Sequence, residues 1–196
     1  MPSDKKLILA SSSRFRQQQL QQLRIPFDAV RPDFEETPLP AETAPQTALR
    51  LASGKAQSLA SLYPDALIIG CDQVAWCREQ QLGKPLTVAK AQQMLHYLSG
   101  QEVRFYSALT VLNTAKNRLH QHIDETRVVM RTLTDAQINC YLTLEPDAVH
   151  CAGAAKSEGL GALLIERIES SDPNALIGLP VFRLVDFLLA EGINIL

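Results

Sequence analysis

Long apolar runs are missing from this chain. The longest, Ala66–Cys71, is strand-sized and falls far short of the roughly 18 residues that a membrane helix needs. The opening Met1-Pro2-Ser3-Asp4-Lys5-Lys6 leads into only four apolar residues, too few for the core of a secretory signal. Paired cysteines are missing too. Cys71, Cys77, Cys140 and Cys151 form no C-x-x-C, which excludes a zinc ribbon and a thioredoxin-type motif. Unpaired thiols without an export signal point to a reducing cytosol, so a cytoplasmic location is expected. Charge of one sign is not in excess. With 19 basic and 21 acidic residues the net charge is −2, and neither nucleic acid nor an acidic membrane is an expected partner of the surface as a whole. No internal repeat and no linker divide the chain, and the only biased tract is the glutamine-rich Gln17–Gln22. What is present is an ordinary globular composition, 46% hydrophobic and 20% charged over 196 residues. That is enough to bury a sizeable core in one domain, 1–196, of one or two tightly packed lobes.

Strands and helices alternate along the chain. Leu7–Ala10 reads as a short buried strand, and Ser13 caps a helix to about Leu23. Phe27–Val30 is a second strand. The stretch Arg31–Pro45, with Pro32, Pro38, Pro40 and Pro45, is too irregular for a helix and reads as a long functional loop. Thr43-x-x-Gln46 has the form of a capping box opening a helix to about Tyr63. Ala66–Cys71 is the near-continuous apolar strand of a sheet covered on both faces. Thr87 caps a helix to Leu98, ended by Ser99-Gly100. Val103–Leu112 and Leu119–Met130 read as a long antiparallel pair around the polar turn Asn113–Arg118. Thr134-x-x-Gln137 is another capping box, with Leu133 and Ile138 as its hydrophobic staple, and that helix ends near Leu144. Ala162–Ile168 is a late strand and Pro180–Ala190 the closing helix. The expected class is α/β with a mixed sheet flanked by helices.

Several segments carry residues suited to chemistry. In Leu9-Ala10-Ser11-Ser12-Ser13-Arg14-Phe15-Arg16 a buried strand feeds a serine loop that opens a helix. A helix N-terminus attracts anions, so Arg14 and Arg16 are electrostatically misplaced there unless an anion neutralises them. Hydroxyls, backbone N–H groups and arginines together suit a polyphosphate; the alternative is an ordinary serine cap with solvated arginines. Glu35-Glu36 in the long loop is either a solvated pair or a ligand for a hard divalent cation. Lys55 falls in the middle of an apolar stripe made by Ala48, Leu51, Ala52, Ala56, Leu59, Leu62 and Tyr63, while Arg50 and Gln57 point away. Such a lysine either snorkels out along its stem or reaches an anion. Asp72 is read at the carboxyl end of the most apolar strand, where open α/β sheets bind ligands; the alternative is a solvated strand end. Gly83-Lys84-Pro85 is a turn with one cation. Ala152–Gly161 is a glycine-rich loop bearing both charges, with neither Walker nor dinucleotide spacing. Asp172-Pro173-Asn174 and Gly178-Leu179-Pro180 lead into the last helix.

Taken in order, Ser11-Ser12-Ser13-x-x-Arg16, Glu36-Thr37-Pro38, Arg50-Leu51-Ala52-x-x-Lys55-Ala56, Gly70-Cys71-Asp72-Gln73-Val74, Gly83-Lys84-Pro85 and Asn174-x-x-x-Gly178-Leu179-Pro180 resemble the Maf nucleoside triphosphate pyrophosphatases. The resemblance runs from Leu7 to about Leu189. The aromatic Phe15, Gln73 and Lys156-Ser157-Glu158-Gly159 are similar to the branch that hydrolyses 7-methyl-GTP. Two departures stand out: Arg14 occupies the place of a common proline, and Gln17 that of a second arginine.

The resemblance implies a cytoplasmic, metal-dependent hydrolase that cleaves the α–β phosphoanhydride of a nucleoside triphosphate and releases pyrophosphate. It implies a Maf/ITPase-like fold, an elongated mixed sheet with two lobes around a central cleft, and a homodimer. The family's proton acceptor falls on Asp72, its loop glutamate on Glu36, and its phosphate-side residues on Ser11, Ser13, Arg16, Lys55 and Lys84. Base selection falls on Phe15, Gln73 and Glu158. Glu36 and Asp72 form the expected pair for Mg²⁺ or Mn²⁺ and for the attacking water, with their two roles left open. Phe15 suits the cationic ring of 7-methylguanine by cation–π attraction and Glu158 its N–H edge. Two alternatives stay beside this: a broader pyrophosphatase for dTTP, UTP or modified nucleotides, and a non-catalytic cell-division interaction protein. A cysteine hydrolase on His150-Cys151 is disfavoured, because adjacent residues seldom orient as nucleophile and base.

Overall fold

In the computed structural model, residues 5–37 and 39–194 are described. Seven strands form one mixed sheet of order β2-β1-β3-β5-β6-β7, with β4 paired to β3. The strands are β1 (Lys6–Ala10), β2 (Asp28–Val30), β3 (Ala66–Cys77), β4 (Gln80–Leu82), β5 (Glu102–Asn113), β6 (Arg118–Met130) and β7 (Ile165–Glu169). The helices are α1 (Arg14–Gln22), α2 (Ala44–Ser58), α3 (Val88–Leu98), α4 (Asp135–Leu144) and α5 (Val181–Ala190). The chain divides into two compact units. The first holds Met1–Gln73, Ser107–Asp124 and Asp172–Leu196; the second holds Val74–Tyr106 and Glu125–Ser171. Among the described residues, no helix is long and apolar enough to cross a membrane.

In the first unit, β1 lies between β2 and β3 and is parallel to both. An inner strand has two covered faces, which is why Leu7–Ala10 is apolar at every position instead of alternating. Successive side chains still point to opposite faces. Leu7 and Leu9 join Leu67, Ile69, Leu109 and Val111 under Leu20 of α1 and Leu184 and Leu188 of α5. Ile8 and Ala10 join Ile68 and Leu112 under Ala56 of α2 and Leu59 just after it. The first unit is therefore a sheet with α1 and α5 packed on one face and α2 on the other.

Helix starts follow local chemistry. The Ser13 side chain accepts from Arg16 N, Thr87 from Lys90 N, and Thr134 from Gln137 N. Both expected capping boxes form, at Thr43/Gln46 and Thr134/Gln137. The expected α2 is too long: the helix ends at Ser58. Leu62, placed on its stripe, is 68% exposed in the turns that follow.

β3 runs to Cys77, six residues beyond its expected end, so Asp72 is not at a strand terminus. Its parallel partner β1 nevertheless stops at Ala10, opposite Gly70. Asp72 thus lies two residues past the last β1–β3 pair, where the parallel sheet opens. The late strand is the other correction. It begins at Ile165, because residues 160–164 form a tight helical turn. Gly161 permits that turn: a Cβ there would sit 2.5–2.7 Å from the Lys156 backbone.

In the second unit, the end of β3 and β4 make an antiparallel hairpin. Arg78 and Glu79 at its tip both have positive φ, 45° and 65°, the geometry that matches strand twist in a two-residue turn. β5 and β6 are neighbours as expected, and β7 pairs antiparallel with the last residues of β6.

Candidate active site

The first unit brings two of the expected residues, Glu36 and Asp72, to the ammonium of a third, Lys55. Gly70 brings this about. A Cβ on Gly70 would collide with the Ala52 carbonyl and meet the Ala56 methyl at 3.0 Å. Only glycine lets α2 sit this low on β3. One turn along α2 from Ala52, Lys55 then meets Asp72, two residues along β3 from Gly70. The Lys55 Nζ donates to Asp72 Oδ1 at 2.6 Å and lies 3.0 Å from Glu36 Oε2. Lys55 is 5% exposed and Asp72 7%, whereas the Glu36 side chain is 57% exposed. Lys55 therefore does not snorkel to water. It reaches an anion, and Asp72 is no solvated strand end.

Two carboxylates facing one ammonium leave a net negative charge at this point. Hard divalent cations of the Mg²⁺ type take one or two protein carboxylates and complete their shell with water and phosphate oxygens. The Glu36 and Asp72 pair fits that pattern. Among the described residues no group of three or more His, Cys, Asp or Glu side chains is placed to hold a metal, so an all-protein cage is not built here.

The serine loop occupies the end of β1. Ser11 is buried, and its Oγ accepts from Ser13 N at 3.1 Å. Ser13 caps α1, whose first turn carries no acid. Arg16 donates from Nε to the Gly178 carbonyl at 3.0 Å, using one of its five N–H donors. Gly178 has φ +126°, and a Cβ there would lie 3.3 Å from that Nε. Arg14 is exposed, and Phe15 is half-buried in the same turn.

Residues 174–178 are held by their carbonyls. Gln19 Nε2 donates to Asn174 O at 2.8 Å. Gln73 Nε2 reaches Ser107 Oγ at 3.0 Å, Ala175 O at 3.1 Å and Leu176 O at 2.9 Å. Ser107 Oγ donates to Ala175 O at 2.7 Å. The Gln73 amide thus binds protein backbone, a task its resemblance to a base-selecting position did not foretell. Gln19 and Ser107 were missed: glutamine in a polar tract and serine inside a strand give no local signal. The Gln19 Oε1 is buried without a partner among the described residues.

Lys84 and Glu158 belong to the second unit, and both are exposed. The loop bearing Glu158 is pinned from α4. Tyr141 Oη donates to Ala154 O at 3.1 Å and accepts from Lys156 N at 3.0 Å. Lys156 Nζ lies 2.9 Å from Glu145 Oε1, and Leu160 N donates to Glu145 Oε2 at 3.3 Å.

The cysteines take no part in this constellation. Burial pushes the Cys71 thiol up to about 11, against the lowering influence of Arg16 and Lys55. Burial, followed by the charge of Glu158, pushes Cys151 to about 11 as well. A thiol raised by burial is a poor nucleophile at neutral pH, which argues against the His150-Cys151 alternative. Cys77 is buried and also raised by burial; Cys140 is exposed.

The family profile described as Maf-like protein matches residues 6–191. A protein of Neisseria gonorrhoeae named 7-methyl-GTP pyrophosphatase is 63% identical over 190 residues, 97% of each chain. One of the same name from Neisseria meningitidis is also 63% identical, again over 97% of each chain. A third, from Chromobacterium violaceum, is 55% identical over 97% of this chain and 98% of its own. The solved structure of the Staphylococcus aureus Ham1 protein overlaps 65% of this chain and 73% of its own, with a TM-score of 0.48 and 13% identity, too slight a likeness to bear on fold or function. The ordered motifs, the profile match over nearly the whole chain and relatives of this identity agree: the chain belongs to the Maf-like protein family.

Proposed function

We propose that this chain is a nucleoside triphosphate pyrophosphatase that cleaves the α–β phosphoanhydride, releases pyrophosphate and a nucleoside monophosphate, and prefers 7-methyl-GTP. The observation that carries this reading is the 63% identity, over 97% of both chains, to a protein named for that activity. The chemistry of the first unit supports it. A triphosphate needs donors and cations on its oxygens, and the Ser11–Arg16 turn and Lys55 offer them. Attack of water at the α-phosphorus needs a carboxylate to position or deprotonate the water. Asp72 and Glu36 are the carboxylates on Lys55. That ammonium fixes where their oxygens stand. Mg²⁺ or Mn²⁺ held by Glu36 and Asp72 would neutralise charge developing on the phosphate oxygens. Phe15 is assigned the face of the cationic base and Glu158 its N–H edge.

The test is pyrophosphate release from a panel of nucleoside triphosphates including 7-methyl-GTP, GTP, dTTP and UTP, with Mg²⁺ or with EDTA. The expected result is pyrophosphate with 7-methyl-GTP as the best substrate, and none in EDTA. Full activity in metal-free buffer, orthophosphate as the only phosphate product, or equal turnover of all four would overturn the corresponding part of the reading.

A further inference from the structure

Glu36 is mostly exposed and sits in an irregular, proline-rich segment. Nothing in its own stretch of backbone explains why its carboxylate should lie 3.0 Å from the Lys55 ammonium. The explanation lies on α2. Arg50 donates from Nε and Nη2 to the two oxygens of Glu42, and from Nη2 to the Thr37 carbonyl at 3.1 Å. Thr47 of the same helix donates to Glu42 Oε2 at 3.1 Å. Thr37 follows Glu36 directly, so the carbonyl that Arg50 grips is the first one after the glutamate. On the other side, Phe34 precedes Glu36 by two residues. Its ring fills the space over Gly54, where a Cβ would strike it. Glycine inside a helix is unfavourable relative to alanine, and the seat for Phe34 gives it a purpose. The loop is thus fastened before and after Glu36 to the one helix that also carries Lys55.

We propose that Arg50 is a positioning residue for the reaction. Paired with Glu42, it fixes the segment after Glu36 so that the Glu36 carboxylate stands beside Lys55 and Asp72. Three of the five N–H donors of Arg50 are engaged by two carboxylate oxygens and a carbonyl, so its bonds are spent on holding the loop. A bidentate fork is what lysine cannot reproduce. The proposal rests on the reading that Glu36 acts in the reaction.

The experiment compares wild type, Arg50→Met, Arg50→Lys, Glu36→Gln and the double variant Arg50→Met/Glu36→Gln. Hydrogen exchange on the metal-free proteins is followed over 33–42 and over α2, and steady-state kinetics are measured with 7-methyl-GTP and Mg²⁺. In Arg50→Met, exchange should quicken over 33–42 and not in α2. Its kcat should fall by about 10- to 100-fold, the usual cost of losing a group that orients a ligand, with KM little changed. Arg50→Lys should fall between it and wild type. In the Glu36→Gln background, Arg50→Met should cost less than about twofold more, since coupled residues do not add. Unchanged exchange with wild-type kcat overturns the proposal, and so does a loss that adds in full to that of Glu36→Gln. Faster exchange throughout α2 would make Arg50 a structural residue and overturns it too. Wild-type turnover by Glu36→Gln is a different failure: it removes Glu36 from the reaction and the proposal with it.

Discussion

Replacing Lys55 by methionine should unsettle the protein in a way that a snorkelling lysine would not. The two side chains have similar length and volume, so packing along α2 is preserved and the change isolates the charge. In the wild type the ammonium lies 2.6 Å from Asp72 and 3.0 Å from Glu36. Glu36 can turn to water, since its side chain is 57% exposed. Asp72 cannot, since its side chain is 10% exposed. The cost is therefore that of leaving one buried carboxylate without its cation, about 3–5 kcal/mol. For a chain of this size each kcal/mol moves the melting temperature by about 2–4 °C, so the expected fall is about 6–20 °C. Thermal melts by circular dichroism at pH 7 measure it. The double variant Lys55→Met/Asp72→Asn supplies the control, because removing the stranded charge should recover much of the loss. Equal melting temperatures for Lys55→Met and wild type would refute the reasoning. So would a double variant that melts no higher than Lys55→Met.

Two further outcomes follow from other residues. Phe15→Ala should lose a cation–π contribution of about 0.5–2 kcal/mol, and so lower the kcat/KM preference for 7-methyl-GTP over GTP by about 2- to 30-fold. An unchanged ratio would return Phe15 to being a helix side chain. Glu191 carries the pH prediction. Burial raises its carboxyl, but hydrogen bonds from His120 and Asn113 and the charges of Arg118 and Lys5 overcome this and lower it from 4.5 to about 2. A depressed carboxyl stabilises the fold above its unfolded value and loses that contribution as pH falls toward the folded one. Glu191→Gln should therefore melt below wild type at neutral pH, and the gap should close between pH 4.5 and about 2. A gap independent of pH would exclude the charge as the cause.

How much of this was legible beforehand depended on distance along the chain. Helix starts were readable because a cap acts within four residues, as at Ser13, Thr87 and Thr134. The inner strand β1 was readable because full burial leaves an unbroken apolar run. β3 was cut short because Asp72 and Gln73 look like the end of an apolar stretch. Their partners are Lys55 and the carbonyls of residues 175–176, 17 to 103 positions away. The apolar stripe on α2 showed that Lys55 was out of place but not where it went; that was decided by Gly70 admitting the helix backbone. Arg50 was seen to leave the stripe, yet its grip on Thr37 and Glu42 joins a helix to an irregular loop, and no periodicity marks such a contact.

The uneven setting of the four thiols has a practical consequence. Cys71 and Cys77 are enclosed, Cys151 is held at about 11, and Cys140 is exposed on α4. A maleimide dye at neutral pH should attach to Cys140 alone, with no cysteine to remove first. Its sequence neighbour Tyr141 anchors the glycine-rich loop that carries Glu158. A single-site fluorophore at Cys140 would stand beside that anchor, and its intensity or anisotropy would report any rearrangement of the loop.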